Sequence, residues 1–142
     1  MRRLLGFVLA VIVTAAVSSM VQTLRVHAEL AAMGAEVPFA TRLSAIGHDL
    51  LGFAPTYAAI VAAGFLIAFA VAGLIRRYAQ RVGPWLHAVA GGAAILTTLL
   101  LMQTVLGMSV IAGARGVLGI ALFTLVGTLG GAVFARFGAT RR

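Results

Sequence analysis

Four stretches of the chain are apolar over lengths that match a lipid bilayer, and they predict four membrane-spanning helices. They cover residues 4–24, 56–75, 84–106 and 116–135. A bilayer core is about 30 Å thick and a helix advances about 1.5 Å per residue, so about 20 apolar residues suffice to cross it. These stretches are apolar on all faces and lack the alternation of a membrane β-strand. The pattern predicts one all-α integral membrane domain over residues 1–142, a four-transmembrane-helix bundle.

The only sizeable segment outside these spans is the loop of residues 25–55 between the first and second spans. Its first part contains no helix breaker before Gly34, so it can prolong the first helix. After Pro38 an apolar stripe recurs at spacings of four, three and four residues, at Phe39, Leu43, Ile46 and Leu50. This periodicity predicts a short amphipathic helix in the outer loop.

We expect this short helix to end at Gly52 and Pro55 and to lie on the membrane surface or to cap the bundle. The alternative is a re-entrant element that covers a cavity, because irregular backbone at membrane depth needs such a setting.

Composition and charge support a membrane location. The chain is 62% hydrophobic and 10% charged, which excludes an ordinary soluble domain. Eleven basic residues, all arginine, against three acidic residues give a net charge of +8. With a cytoplasmic N-terminus, Arg25, Arg42 and Arg115 lie outside. The other eight lie inside, namely Arg2, Arg3, Arg76, Arg77, Arg81, Arg136, Arg141 and Arg142.

This positive-inside distribution predicts a multi-pass protein of the bacterial inner membrane with both termini cytoplasmic. The basic surplus is therefore a topology signal, and we expect the lipid bilayer rather than nucleic acid as its partner. A signal peptide ending near Ala28 is the alternative for the first segment, but the length of its apolar run favours an uncleaved span.

Seventeen glycines indicate close helix packing, because small residues let helix backbones approach in lipid. Such packing serves contacts within the chain, self-association, or contacts with other membrane subunits. The small-residue groups are Gly127 with Gly131, Gly64 with Ala68 and Ala72, and Gly91 with Gly92 and Ala93.

Polar residues inside the spans are few and neutral. Thr14, Ser18 and Gln22 share one face of the first helix. On the third helix Thr97 and Thr104 share a face, with Gln103 beside it. These side chains either hydrogen-bond between helices or line a polar path that opens to the outer face. The spans contain no Asp, Glu, Lys or Arg, which argues against an ion or proton pump.

The charges of the outer face form a second candidate site. Arg115 lies in the short apolar connection before the fourth span, where a partly buried guanidinium needs a carboxylate or phosphate partner. Asp49 and Glu29 are the nearest carboxylates, and Arg25 and Arg42 lie on the same side. We expect an ion pair of Arg115 with Asp49 or Glu29; a lipid phosphate or another anion is the alternative partner.

Metal or cofactor chemistry has little support. His27 and His48 are weak metal candidates, because neither spacing matches a ligand motif. The sequence predicts no metal site and no cofactor, and it contains no cysteine. His87, beside Trp85, is interpreted as an interfacial anchor.

No catalytic motif accompanies the four serines Ser18, Ser19, Ser44 and Ser109, so we expect no enzymatic activity. The leading hypothesis is a small non-catalytic accessory or structural subunit that packs against partner membrane helices. The alternative is a small channel or transporter with a neutral polar path. A third hypothesis is a cofactor- or lipid-binding protein that uses His27, His48 and Arg115.

Overall fold

The computed structural model describes residues 1–34, 36, 38–79, 83–107 and 111–138. Over these residues the chain is helical and contains no strand. The helices are α1 (Arg2–Ala32), α2 (Phe39–Tyr78), α3 (Leu86–Leu106) and α4 (Gly116–Phe137), with a short 3-10 turn at Ala112–Ala114. All four α-helices are long and apolar enough to cross a bilayer. The prediction of an all-helical chain with four such helices is confirmed.

The helices form a ring in which each one packs against its two neighbours, in the order α1, α2, α3, α4. Phe7 of α1 meets Phe69 of α2, while Thr23 of α1 meets Asp49 of α2, so these two helices are antiparallel. The remaining neighbours are antiparallel as well, which gives up-down-up-down topology. We call the end that carries Arg2 and the last turns of α2 and α4 the terminal end, and the other the hairpin end.

Helices α1 and α2 are much longer than α3 and α4, with 31 and 40 residues against 21 and 22. At about 1.5 Å per residue, α2 is about 60 Å long, twice the thickness of a bilayer core. The 3-10 turn before α4 packs at the level of Gln22. The turns beyond that level, residues 24–32 and 39–48, form a hairpin extension at the hairpin end.

The separate amphipathic helix predicted in the outer loop is not found as such, because α2 runs without interruption through Gly52 and Pro55. Proline removes one backbone donor, but in apolar surroundings a continuous helix still satisfies more backbone groups than a break. Phe39 and Leu43, from the predicted stripe, are exposed. The expected end of the first helix is confirmed, since Gly34 follows α1 with a φ of 84°.

The glycines of the predicted small-residue groups pack against other helices of the same chain. A Cβ atom added to Gly64 would contact Ala94 of α3 at 3.8 Å. The α3–α4 contact is closer: a Cβ on Gly91 would overlap the carbonyl oxygen of Gly127 and lie 3.0 Å from Cα of Gly131. The backbones of α3 and α4 therefore touch directly, as close packing of helices in lipid requires.

Aromatic side chains fill the core near the terminal end, and Phe69 is their common neighbour. Its ring centroid lies 6.3 Å from Phe7, 4.7 Å from Phe65, 5.9 Å from His87 and 4.5 Å from Phe134. This aromatic cluster therefore joins all four helices.

His87 belongs to that cluster and is buried, so its interpretation as an interfacial anchor is wrong. Helix α3 begins at Leu86, with Pro84 and Trp85 in the preceding turn. That start turns the imidazole towards Phe69 and Phe134, whereas Trp85 remains exposed.

Candidate functional site

The hairpin-end half of α1 presents a line of polar side chains to the interior of the bundle. Among the described residues six polar side chains are buried, and all but His87 lie on α1. We call these five the polar column: Thr14, Ser18, Ser19, Thr23 and His27. The terminal-end half of the same helix buries Gly6, Ala10 and Val11 instead, so the column begins at mid-helix.

The outer part of the column is hydrogen-bonded to α2. The Thr23 hydroxyl lies 2.6 Å from Oδ2 of Asp49 and 3.1 Å from the carbonyl oxygen of Ser19. His27 Nδ1 lies 2.8 Å from the Thr23 carbonyl oxygen, and because a carbonyl only accepts, Nδ1 carries the proton of this bond. Asp49 thus joins α2 to α1 through Thr23, directly next to the hairpin extension.

We expect Thr23→Val to lower the free energy of unfolding by about 1 kcal/mol, because it removes the hydroxyl that donates to Asp49. Thr124→Val is the matched control, since the Thr124 hydroxyl bonds the Ile120 carbonyl of its own helix. Thermal unfolding of the purified protein in detergent measures both. Equal losses in the two variants would show that the contact between α1 and α2 contributes nothing.

The inner part of the column lacks such bonds. The hydroxyls of Thr14, Ser18 and Ser19 are buried and have no hydrogen-bond partner among the described residues. Helical hydroxyls ordinarily bond the carbonyl oxygen one turn earlier, and four threonines outside α1 do so in this structure. Those four are Thr98, Thr104, Thr124 and Thr128.

Tyr57 of α2 completes this group from the opposite side. Its hydroxyl lies beside Ser18 but outside hydrogen-bond geometry, and it too has no partner in the described part of the chain. Its ring stacks on Phe53 at 5.2 Å and meets the edge of Phe123 at 6.0 Å. Tyr57 therefore brings one polar atom into an otherwise aromatic wall.

Thr14 occupies a cleft in the surface of α4. A Cβ on Gly130 would overlap the Thr14 hydroxyl and lie 2.9 Å from the Phe65 ring. Only glycine at position 130 leaves room for this hydroxyl. Three helices thus surround the inner part of the column: α1 with its hydroxyls, α2 with Phe65 and Tyr57, and α4 with Gly130.

The structure does not bring the residues of the predicted polar path together. Thr97 and Thr104 are exposed on the outside of the bundle, and Thr104 bonds the Leu100 carbonyl of its own helix. Gln103 is half-buried, as is Gln22. Only Thr14, Ser18 and Gln22 extend along the interior side of one helix, and the aromatic cluster lies between them and the terminal end.

The predicted ion pair of Arg115 is not formed. Arg115 is exposed and makes no salt bridge to any residue that the structure describes, and Arg42 is exposed as well. Arg25 instead pairs with Glu29 at 3.2 Å along α1. The connection before α4 is held by backbone packing, because a Cβ on Gly113 would come within 2.7 Å of Gln22 Cα. This backbone contact positions the connection without an ion pair of Arg115.

The two weak metal candidates are not brought together either. His27 is engaged with the Thr23 carbonyl, while His48 is exposed on the hairpin extension. Within the described ranges no three His, Asp or Glu side chains are grouped as metal ligands would be.

Sequence reasoning missed Ser19, Thr23 and Tyr57. Extending the period of Thr14 and Ser18 by one turn reaches both Gln22 and Thr23, and only packing decides which side chain faces α2. Tyr57 could have been noticed as the one tyrosine within a predicted span, since a buried phenol needs a hydrogen-bond partner.

These features define an up-down-up-down bundle of four helices apolar enough to cross a bilayer, with a buried polar column on its first helix. Comparison with protein-family models, with curated proteins and with solved structures gives no match.

Proposed function

We propose that the protein is a small non-catalytic membrane subunit that packs the outer face of α2 against a helix of another membrane protein chain. One observation carries this proposal. Six small residues and one leucine follow one another along the exposed side of α2 at alternating spacings of four and three. We call them the α2 outer stripe: Gly52, Thr56, Ala59, Ala63, Leu66, Ala70 and Gly73, all exposed.

The stripe has the properties of a helix-packing surface in lipid. Lipid tails are as apolar as leucine side chains, so helices associate there through close backbone approach and dispersion. A mean spacing of 3.5 residues keeps such a face in register with a partner helix along a left-handed crossing. A Cβ on Gly52 or Gly73 would meet no atom within 4 Å, so no described part of the chain covers either end of the stripe.

The outer faces of α1 and α4 differ from it in side-chain size. On α1 the exposed residues include Leu5, Leu9 and Ile12, and on α4 they include Leu118 and Leu125. Bulky aliphatic side chains suit direct contact with lipid tails. Bulky residues such as Ile67, Val71 and Leu74 also flank the α2 outer stripe, so the stripe is a narrow strip of small residues on α2. This strip favours α2 as the helix that meets a partner.

The proposal includes the bacterial inner membrane, with both termini cytoplasmic. At the terminal end lie Arg2, Arg3, Arg76, Arg77 and Arg136, whereas Arg25, Arg42 and Arg115 belong to the hairpin end. Five against three supports the positive-inside orientation. Arg81, Arg141 and Arg142, assigned to the same side in the sequence, lie outside the described residues.

A channel or transporter receives less support. Thr97 and Thr104 face away from the bundle, and the aromatic cluster fills the interior towards the terminal end. The geometry therefore supports a packing role better than a path across the bundle.

We expect a cysteine placed at Ala63 to form a cross-link through the α2 outer stripe. The chain has no native cysteine, so a single substitution gives a single reactive site. In native membranes, Ala63→Cys with a thiol-directed photo-cross-linker should capture the partner, and the mass of the adduct separates a second copy from a different protein. Leu125→Cys, on the outer face of α4, is the matched control.

Substitution by a bulky residue supplies the complementary measurement. Ala63→Phe should release the partner from the complex extracted in mild detergent, whereas Leu125→Phe should not. Cross-linking of equal strength at positions 63 and 125, together with an unchanged complex mass for Ala63→Phe, would overturn the proposal.

A further inference from the structure

The unpartnered hydroxyls of Thr14, Ser18 and Tyr57 carry an inference that does not depend on the proposed function. Their residues are 0%, 0% and 2% exposed. Tyr57 lies beside Ser18, but none of the three oxygens has a partner in hydrogen-bond geometry among the described residues. A buried polar group without a partner is costly, and in folded proteins such groups are nearly always satisfied by protein atoms or by ordered water.

In an α-helix, serine and threonine hydroxyls have a hydrogen-bond acceptor within reach on their own helix. A threonine or serine can rotate its hydroxyl onto the carbonyl one turn earlier, as Thr98 and Thr128 do at 2.8 Å and 3.0 Å. Thr14 and Ser18 are instead turned away from their own backbone. Their hydroxyls are therefore free to bond to a group in the interior of the bundle.

We propose that the inner part of the polar column is a site for ordered water molecules, which bridge the hydroxyls of Thr14, Ser18 and Tyr57. Each of these groups both donates and accepts, so one water can join two or three of them, as buried waters in proteins do. Gln22 extends the site towards the hairpin end, because its buried Oε1 also lacks a partner in the described part of the chain.

The side chains that line this site favour a small and neutral ligand such as water. The three hydroxyls have no charged residue among them, and an ion would lose its hydration without gaining a counter-charge. Space is limited as well, since Thr14 is packed against Gly130 and the Phe65 ring. Thr14 and Gln22 are eight residues, about 12 Å, apart along α1, so the unpartnered oxygens are spread over two turns of the helix.

X-ray hydroxyl-radical footprinting of the full-length protein in lipid nanodiscs tests this site directly. Radicals formed from a bound water oxidise the side chains that it touches, even where bulk solvent has no access. We expect Tyr57 to be oxidised at least fivefold faster than Phe69, which lies three turns away on the same helix, inside the aromatic cluster, and is 6% exposed. Equal protection of Tyr57 and Phe69 would overturn the proposal.

The sign of a stability change provides a second, independent measurement. If water bridges these groups, Thr14→Val and Tyr57→Phe remove partners from a satisfied network, and both should lower the Tm by a few degrees. If the hydroxyls are dry, the same changes remove an unsatisfied polar group and raise the Tm. Thr98→Val, which removes a hydroxyl bonded within its own helix, should leave the Tm almost unchanged and serves as the control.

An increase of the Tm in both Thr14→Val and Tyr57→Phe contradicts the water site. Neither measurement depends on a partner of α2, so the water site and the packing proposal succeed or fail separately.

Discussion

Gly131→Ala should destabilise the protein by about 3 kcal/mol, although it adds a single methyl group. The added Cβ would overlap the carbonyl oxygen of His87 and lie 2.8 Å from Cα of Ala88. Both obstacles belong to the backbone of α3, so no side chain can rotate to make room. Helices α3 and α4 would have to move apart, and the contact between Gly91 and Gly127 would open with them. Chemical or thermal unfolding in detergent measures the loss.

Gly47→Ala is the control for this substitution. Gly47 lies within α2, and a Cβ there would meet nothing within 4 Å. Alanine is the better helix former by up to about 1 kcal/mol, so this variant should be as stable as the native chain or slightly more so. The two glycine-to-alanine substitutions should therefore change the free energy of unfolding in opposite directions. A Gly131→Ala variant that unfolds like Gly47→Ala would mean that α3 and α4 are not in backbone contact.

The spans were predictable because they depend on composition along the chain. An apolar run must be helical in lipid to satisfy its backbone, and it must stop where arginines such as Arg76 and Arg77 begin. Gly34 likewise marks the end of α1 in both the sequence and the structure. These features need no knowledge of which residues face one another.

At Pro55 the general expectation that a proline ends a helix was wrong. In water a proline near a glycine usually ends a helix, because the freed carbonyl group can bond to solvent. Ala54 and Tyr57, on either side of Pro55, are buried against neighbouring helices. Packing of that segment holds it helical, so the predicted loop helix and the second span are one helix.

Rotation about the helix axis was the other quantity that sequence reasoning lacked. An all-apolar helix has no polar side, so a lone threonine such as Thr97 carries no mark of whether it faces lipid or protein. On α3 the inward positions belong to Gly91 and Ile95, which pack on Gly127, and Thr97 is turned outward. Two of the six residues of the predicted polar path, Thr97 and Thr104, lie on the outside of the bundle for this reason. The α2 outer stripe was not predicted for the same reason.

The aromatic cluster could have been suspected from spacing alone. Phe65 and Phe69 are four residues apart on α2, which places both rings on one side of the helix. What could not be predicted is that Phe7, His87 and Phe134 lie at the same depth on three other helices. That depends on the register of each helix pair, which the glycine contacts set.

Phe69→Ala should lower the free energy of unfolding by about 4 kcal/mol, within the range for removal of a buried phenylalanine ring. The Phe69 ring is buried and touches the rings of Phe7, Phe65, His87 and Phe134, so its loss weakens contacts to all three other helices. The loss comes mainly from the cavity left inside the bundle and from the lost ring contacts, which do not depend on transfer from water. Unfolding in detergent, followed by the fluorescence of the single tryptophan Trp85, measures the loss.

Phe39→Ala is the matched control for this prediction, since Phe39 is 79% exposed at the start of the same helix. It should change the free energy of unfolding by less than about 0.5 kcal/mol. Phe69→Leu separates volume from aromatic geometry: it keeps an apolar side chain of similar reach but loses the stacked contact with Phe134 at 4.5 Å. We expect it to recover more than half of the loss, because packed volume outweighs the additional energy of ring pairing. If Phe69→Ala and Phe39→Ala were equally stable, the cluster would not join the four helices, and the bundle would depend on its glycine contacts alone.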